Sequence, residues 1–272
     1  MKQRRGALWA VGIGIRAPSQ ATLEASERIK RSDMVFSLVA DPLAEYWIRS
    51  LNPTTESLAH FYARGKARRQ TYREMVERIM DAVRRDLRVC VVAYGHPGIV
   101  AYPLHEALRR AHAEGFPAEM LPGVSAENCL FAELGIDPAV AGWHCYEATE
   151  FLVHRRTMDP SSNLVLWQVG GIAVSDSRTE TQAWNRDGIV ALTERLLEAY
   201  RPQHEVVVYE AASLPVCRST VERVALQRLP DAPIHVMATL YVPPMTRASL
   251  DETMMRRLGI TQKPRAPAAL AG

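Results

Sequence analysis

The stretch from Val89 to Gly98 constrains the fold of this chain more than any other. Its apolar run Val89–Ala93 predicts a buried β-strand, and residues 94–98, with the sequence YGHPG, predict a turn before a helical pattern that begins near Pro103. In open α/β sheets, ligands bind beyond the carboxyl ends of the strands, and glycines there let a small molecule approach the backbone. The stretch therefore predicts either a ligand-binding turn or an ordinary connection between a strand and a helix.

The same order of elements occurs at two other places. Ala7 to Val11 predicts a strand that ends in the sequence GIGI, and Ala118 to Leu121 predicts a strand that runs into residues 122–127, PGVSAE, where Ser125 can cap the next helix. The first of these turns lacks the third glycine and the downstream acidic residue of a dinucleotide fingerprint, so no nicotinamide site is predicted.

Strand and helix patterns alternate in the first half of the chain, and strand-rich patterns follow in the second. This organisation predicts two α/β lobes with a ligand cleft between them that collects the glycine-rich turns. The expected boundaries are residues 1–119 for the first lobe, 120–245 for the second, and 246–272 for a short, Pro- and Ala-containing tail that is partly disordered.

Composition excludes several classes of protein. Of 272 residues, 47% are hydrophobic, which suffices for a sizeable core, and the net charge of +3 comes from scattered Arg and Lys, unlike the basic block of many nucleic-acid-binding proteins. The 4 cysteines lie far apart without a CxxC pair, so neither a zinc site nor a disulfide framework is predicted, and a reducing cytoplasm is expected. No run reaches the roughly 18 apolar residues of a membrane span.

An unusual mixture of aromatic and basic residues occupies residues 60–72, HFYARGKARRQTY, ahead of an amphipathic helix predicted from Tyr72 to Arg85. A solvated basic helix start with two half-buried tyrosines is one interpretation. A guanidinium beside a phenol also lowers the pKa of the phenol, which makes the segment a candidate catalytic element. The residues alone do not decide between these two interpretations.

Four segments in matching order resemble the tetrapyrrole methylase superfamily and, within it, the methyltransferase domain of borosin peptide α-N-methyltransferases. They are YGHPG at 94–98, MLPGVSAENCLFAELGIDP at 120–138, LVLWQVG at 164–170 and YVPP at 241–244. His96 stands where general tetrapyrrole methylases carry an acidic residue, and GIGIR at 12–16 replaces their GPGDP-type loop, which favours the borosin branch. The resemblance implies an α/β, two-lobed class III methyltransferase fold. It also implies S-adenosylmethionine in the cleft between the lobes, S-adenosylhomocysteine as the product, and no metal.

The resemblance further implies which residues hold the cofactor. They follow strands of both lobes: Tyr94, His96, Ile99, Val100, Ser125, Ala126, Gln168, Tyr209, Ala238 and Thr239. Adenine would lie in an apolar slot, while backbone groups and a few polar side chains would bind its edge and the methionine end.

Residues 62–72 resemble the catalytic loop of the family. A peptide nitrogen is a poor nucleophile because its lone pair is delocalised into the carbonyl, so methyl transfer needs its proton removed or the imidate form favoured. Tyr62 is expected to act as base or proton acceptor and Arg68 to stabilise the phenolate and the developing imidate. Tyr72 is expected to bind the amide oxygen or to orient Tyr62. Ala59 stands where relatives can carry another tyrosine, so that contact is expected to be absent or supplied by a neighbouring aromatic residue.

Fungal members of the family methylate their own carboxyl terminus, which a long helical clasp delivers to the partner subunit. Residues 245–272 contain no clasp-sized helical pattern and no apolar core peptide. The expected substrate is therefore a separate precursor peptide, methylated in trans by a homodimer or by a heterotetramer with two precursor chains. Neither nucleic acid nor a membrane is expected as a partner.

Two other functions compete with this interpretation. A methyltransferase for a tetrapyrrole, a corrin or another small molecule on the same fold would have a wide cleft and no narrow peptide channel over Tyr62. A regulatory binding module on the same fold would have no affinity for the cofactor, which a calorimetric titration with S-adenosylhomocysteine detects.

Overall fold

A computed structural model describes residues 6–39, 41–176, 183, 185–214 and 216–261. The chain divides into two compact units. The first comprises Met1–Cys129, Val174–Glu180 and Ala211–Thr220, and the second comprises Leu130–Ala173, Thr181–Glu210 and Val221–Gly272. This division falls later than the expected boundary at residue 119, because residues 118–121 form an edge strand of the sheet in the first unit. Residues 262–272 of the expected tail lie outside the described residues.

The sheet of the first unit is built from short apolar segments. Its strands are β1 (Ala7–Gly12), β2 (Met34–Leu38), β3 (Thr55–Ser57), β4 (Arg88–Ala93) and β5 (Ala118–Leu121). They pair in the order β3-β2-β4-β1-β5, and every pair is parallel. A parallel strand covered on both faces is apolar at consecutive positions, and every residue from Val89 to Ala93 is buried. The strand predicted from Val89 to Ala93 is confirmed.

Helices cover both faces of this sheet. They are α1 (Leu23–Arg31), α2 (Pro42–Leu51), α3 (Arg68–Arg84) and α4 (Tyr102–Ala113). Side chains alternate between the two faces along β1: Leu8 and Ala10 belong to a core cluster shared with α3 and α4, whereas Val11 belongs to one shared with α1 and α2. The sheet of the first unit therefore has a buried core on each of its faces.

Helix α3 begins at Arg68, four residues before the predicted start at Tyr72. Ala67 precedes the helix and offers no side chain that can cap the free amides of the first turn. A distant segment supplies the missing acceptor, because the Arg68 amide donates to the Ser175 carbonyl at 2.9 Å and Ala67 forms an antiparallel bridge with Asp176. This tertiary contact explains why local sequence places the start too late.

Three glycines bring the turns after β1, β4 and β5 into backbone contact. A Cβ on Gly12 would lie 2.4 Å from the Gly95 carbonyl oxygen, and a Cβ on Gly123 would lie 2.5 Å from the same atom. These distances are far shorter than any contact a methyl group can make, so the turns can meet only where side chains are absent. The glycine-rich turns found in the sequence thus converge within the first unit.

Replacing Gly123 with Ala is expected to lower the free energy of unfolding by about 1–3 kcal/mol, because the added methyl group must displace the backbone. The Gly98→Ala variant is the matched control, since its Cβ would meet the flexible Met120 sulfur at 2.9 Å. Denaturant unfolding should show a clearly smaller loss for Gly98→Ala than for Gly123→Ala. Equal midpoints for the two variants would contradict the close backbone packing.

The second unit contains a mixed sheet. Its strands are β6 (Trp143–Glu147), β7 (Asn163–Trp167), β8 (Glu205–Glu210), β9 (Thr220–Ala225) and β10 (Thr239–Val242). The order is β6-β7-β10-β8-β9, with β6 parallel to β7 and β10 antiparallel to both β7 and β8. The remaining helices are α5 (Ala126–Leu134), which crosses the division between the units, α6 (Pro138–Ala141), α7 (Ala148–Val153), α8 (Arg186–Leu197) and α9 (Glu252–Arg257).

The core of the second unit joins β7 and β8 to α8. Leu164 and Leu166 on β7 and Leu192 and Leu196 on α8 belong to one buried cluster. Residues 235–238 form a turn ahead of β10, in which the Ala238 amide donates to the His235 carbonyl at 3.0 Å. Strand β10 therefore begins at Thr239.

Candidate active site

Tyr62 lies in a short loop that leads into α3. A 3₁₀ helix, Leu58–Phe61, precedes it, and the Tyr62 amide closes that helix by donating to the Ala59 carbonyl at 3.1 Å. A turn follows, in which the Lys66 amide donates to the Ala63 carbonyl at 3.0 Å, and α3 begins two residues later. The loop and the helix start are therefore consecutive pieces of one structure.

The structure brings the three predicted catalytic residues together. Arg68 and Tyr72 lie one turn apart on the same face of α3, because residues at i and i+4 are neighbours on a helix. The hydroxyl of Tyr62 is hydrogen-bonded to that of Tyr72, and the charge of Arg68 acts on Tyr62. Tyr94, the first residue after β4, also acts electrostatically on Tyr62. Residues from the loop, from α3 and from the turn at residues 94–98, called the central turn below, thus meet at one place in the first unit.

The pKa of Tyr62 is raised, which differs from the expectation that Arg68 lowers it. Burial has the largest effect, and the electrostatic interaction and hydrogen bond with Tyr72 act in the same direction. The guanidinium of Arg68 does favour the phenolate, but its effect is smaller than the combined effect of burial and Tyr72. Although 40% of Tyr62 is exposed, it is a neutral phenol at neutral pH.

The central turn presents apolar side chains of the predicted cofactor site. Tyr94 is 44% exposed and Val100 is 46% exposed, with Ile99 half-buried between the turn and α4. Val100 has φ 51°, a left-handed conformation that a β-branched residue adopts only under strain. Backbone strain of this kind is concentrated at functional sites, so Val100 supports the prediction that this turn binds a ligand.

His96 is held as a neutral imidazole. Its Nδ1 accepts a hydrogen bond from the Gly98 amide at 3.0 Å, which leaves Nε2 to carry the ring proton. Burial lowers the pKa of His96, and the charge of His105 lowers it further. His96 can therefore donate a hydrogen bond to a ligand at neutral pH without adding a positive charge. Its predicted binding role stays a prediction.

The turn after β5, at residues 122–127, ends in a reciprocal helix cap. The Ser125 amide and hydroxyl donate to Asn128 Oδ1 at 2.9 and 3.0 Å, and the Asn128 amide donates to Ser125 Oγ at 3.1 Å. The predicted capping role of Ser125 is confirmed. Because this hydroxyl is buried and used in the cap, Ser125 and Ala126 offer a ligand mainly the backbone of the first turn of α5.

The four predicted residues of the second unit meet at one end of its sheet. Gln168 follows β7 in a left-handed conformation, with φ 58°, and Thr239 begins β10, where it pairs with Tyr209 near the end of β8. The Val169 amide donates to the Ala238 carbonyl at 3.2 Å. The side chain of Tyr209 is buried, and its hydroxyl donates to Glu133 at 3.0 Å. Tyr209 can therefore reach a ligand only through its backbone, unless Glu133 releases it.

The residues around Ala59 show what stands in place of the tyrosine of relatives. Phe61 packs against the core of the first unit, and its ring lies 4.2 Å from that of His60. The His60 ring is itself hydrogen-bonded to the Ser57 carbonyl through Nδ1 at 2.6 Å. Both aromatic side chains are thus engaged locally, and neither is shown to replace the missing contact.

Three residues near Tyr62 and Tyr72 were not singled out as site residues from the sequence, namely Tyr102, Lys66 and Glu74. The ring of Tyr102 lies 6.1 Å from that of Tyr72, because α3 and α4 pack together. Lys66 pairs with Glu74, although a spacing of eight residues is not one at which helical side chains are expected to meet. No local signal points to these contacts, since each depends on how α3 packs.

Other types of site are not found in the part of the chain that the structure describes. There, no group of three or more His, Cys, Asp or Glu side chains is arranged to hold a metal ion. None of the described helices is both long enough and apolar enough to cross a bilayer. All four cysteines are free, and burial raises the pKa of the Cys90 thiol to about 12, which makes it unreactive.

A family model described as tetrapyrrole (corrin/porphyrin) methylases matches residues 7–230. Among solved structures, the chain is similar to a uroporphyrin-III-C-methyltransferase from Thermus thermophilus, with a TM-score of 0.63 and 18% identity over 88% of this chain and 93% of the other. This likeness confirms the predicted α/β fold class.

Two curated relatives are similar over nearly the whole chain. A type III borosin cyclic peptide precursor with a methyltransferase, from Anomoporia bombycina, is 41% identical over 94% of this chain and 30% of its own length. The omphalotin A precursor with a methyltransferase, from Omphalotus olearius, is 40% identical over 94% of this chain and 62% of its own length. This chain therefore spans less than two thirds of either relative.

Proposed function

Because the chain belongs to the tetrapyrrole methylase family, we propose that it transfers methyl groups from S-adenosylmethionine to backbone amide nitrogens of a ribosomally made peptide. The observation that carries this proposal is the cluster of a partly exposed phenol, Tyr62, hydrogen-bonded to a second phenol, Tyr72, beside the guanidinium of Arg68. The names of the similar relatives, which join a methyltransferase to a peptide precursor, support the same substrate class. We further propose that the peptide is a separate precursor that binds a cytoplasmic homodimer.

The described residues fit S-adenosylmethionine. The turn after β4 exposes Tyr94 and Val100, which suit a flat adenine, and it keeps His96 neutral, so this imidazole does not repel a sulfonium. Tyrosine rings also attract a positively charged group through their faces. The cofactor-binding roles of Gln168 and Thr239, which belong to the second unit, stay predictions. The cofactor would supply an electrophilic methyl group at this place.

The residues of the chain would prepare the nitrogen for attack. Tyr62 loses its proton to solvent, and its phenolate then removes the amide proton, which leaves the nitrogen with a lone pair that can attack. Arg68 stabilises the phenolate before this step and the imidate oxygen after it. Tyr72 binds the amide oxygen or orients Tyr62. The raised pKa makes the phenolate scarce at neutral pH but a stronger base toward an amide proton.

Trideuteromethyl-labelled S-adenosylmethionine and synthetic peptides with apolar carboxyl-terminal segments test this function. Tandem mass spectrometry is expected to place the label on backbone nitrogens of the peptide. Intact mass spectrometry of the enzyme tests the trans arrangement, because label on the enzyme chain itself would contradict it. The matched negative control is the Tyr62→Phe variant.

Two outcomes would overturn the proposed reaction. Label on uroporphyrinogen III and on no peptide would instead indicate a small-molecule methyltransferase. The absence of any heat of binding with S-adenosylhomocysteine, for a protein that unfolds cooperatively, would indicate a binding module without cofactor.

A further inference from the structure

Lys66 closes the segment that carries Tyr62. Its Nζ donates to the Phe61 carbonyl at 2.9 Å and also pairs with a carboxylate oxygen of Glu74 on α3. The other oxygen of Glu74 accepts from Gln70 Nε2 at 3.1 Å, within the same helix. The Lys66 side chain is only 19% exposed and that of Glu74 is 37% exposed, so the lysine end of the pair is the better shielded from solvent.

These contacts attach the loop to α3 at a second point. The first attachment is the hydrogen bond between Tyr62 and Tyr72, and Glu74 lies two residues beyond Tyr72 on the same helix. A lysine ammonium has three donors on one compact group, so it can bridge a backbone carbonyl and a carboxylate simultaneously. The carbonyl that it holds belongs to Phe61, the residue immediately before Tyr62. Movement of Tyr62 away from α3 would therefore break the contacts of Lys66.

We propose that Lys66, through the Phe61 carbonyl and Glu74, is a positioning residue that holds the Tyr62 hydroxyl against Tyr72 and Arg68. This inference rests on the proposed function, because it assigns a role in the same methyl transfer. Reactions of bound groups depend steeply on alignment, and a displacement of about 1 Å can reduce a rate about 100-fold. Lys66 acts through the backbone of its neighbour and does not itself exchange a proton with the substrate.

The Lys66→Met variant is expected to lower kcat about 10- to 100-fold, while the KM for S-adenosylmethionine stays at the parental value. Methionine keeps an unbranched side chain of similar length but cannot donate, whereas Lys66→Arg keeps donors and should restore most of the rate. Lys30→Met is the matched control, because Lys30 pairs with Glu27 at 3.1 Å on the exposed face of α1. It should methylate at the parental rate.

A double-mutant cycle tests whether Lys66 and Glu74 act as one unit. Glu74→Gln is expected to reduce kcat in the same direction as Lys66→Met, and the double variant should lose little more than the worse single variant. Full additivity of the two losses would show that the contact between Lys66 and Glu74 does not position Tyr62.

A readout independent of methylation separates this inference from the proposed function. In protein labelled with ¹³Cζ-tyrosine, the signal of Tyr62, assigned by its absence in Tyr62→Phe, should titrate above its ordinary pKa. Lys66→Met should lower this pKa, because a loosened loop admits water to the hydroxyl, even though loss of a nearby positive charge alone would raise it. Lys66→Arg should titrate like the parent.

The two measurements together decide the result. If no peptide is methylated by the parent protein, the proposed function fails, and the Tyr62 titration still tests the positioning role. If a folded Lys66→Met protein keeps both the parental kcat and the parental Tyr62 titration, the inference about Lys66 is overturned.

Discussion

The Tyr62→Phe variant should methylate peptide about 10²- to 10⁴-fold more slowly than the parent, with S-adenosylhomocysteine bound at parental affinity. Phenylalanine keeps the ring but removes the hydroxyl that accepts the amide proton. Single-turnover methylation and calorimetry measure the two effects separately. Tyr46→Phe, which alters an exposed tyrosine of α2, is the control and should have no effect on either.

The pH dependence of the parent enzyme gives a second test of the same role. The folded-state pKa of Tyr62 lies above the ordinary value of 10, so phenolate is the minor form throughout the neutral range. Its fraction rises about tenfold for each pH unit below that pKa, and log kcat should rise with a slope near +1 from about pH 7 to about pH 9. A flat profile over this range, with chemistry rate-limiting, would rule out Tyr62 as the base.

Replacing Arg68 and Tyr72 should shift the pKa of Tyr62 in opposite directions. Arg68→Met removes the positive charge that favours the phenolate, so the pKa of Tyr62 should rise further, and methylation at neutral pH should fall about 10²- to 10³-fold. Tyr72→Phe removes a hydrogen bond and an electrostatic effect that both raise this pKa, so the pKa should fall. Titration of ¹³Cζ-labelled Tyr62 measures both shifts.

Arg68→Lys is the control for this pair of variants. It keeps a positive charge near the helix start, so it should shift the pKa of Tyr62 less than Arg68→Met does. Tyr72→Phe should still methylate slowly despite the lower pKa, because the contact to the amide oxygen is lost. Shifts of the same sign in Arg68→Met and Tyr72→Phe would contradict the arrangement of the three side chains.

Local sequence was sufficient for the elements whose cause is local. Strand β4 is a continuous apolar run, and Ser125 and Asn128 lie at capping distance in sequence. The glycines at 12, 95 and 123 mark the turns that meet at the carboxyl ends of β1, β4 and β5. Motif order was sufficient to gather Tyr62, Arg68 and Tyr72 into one candidate site. Their assigned roles remain predictions.

Tertiary contacts decided the features that matter most to the chemistry. The Ser175 carbonyl, far away in the sequence, sets the start of α3 and so places Arg68 one helical turn from Tyr72. Partial burial of Tyr62 raises its pKa, whereas the nearby basic residues in the sequence suggested a lower one. Sequence alone therefore determined which side chains assemble. Burial, which depends on distant parts of the chain, decided the direction in which the pKa of the phenol among them shifts.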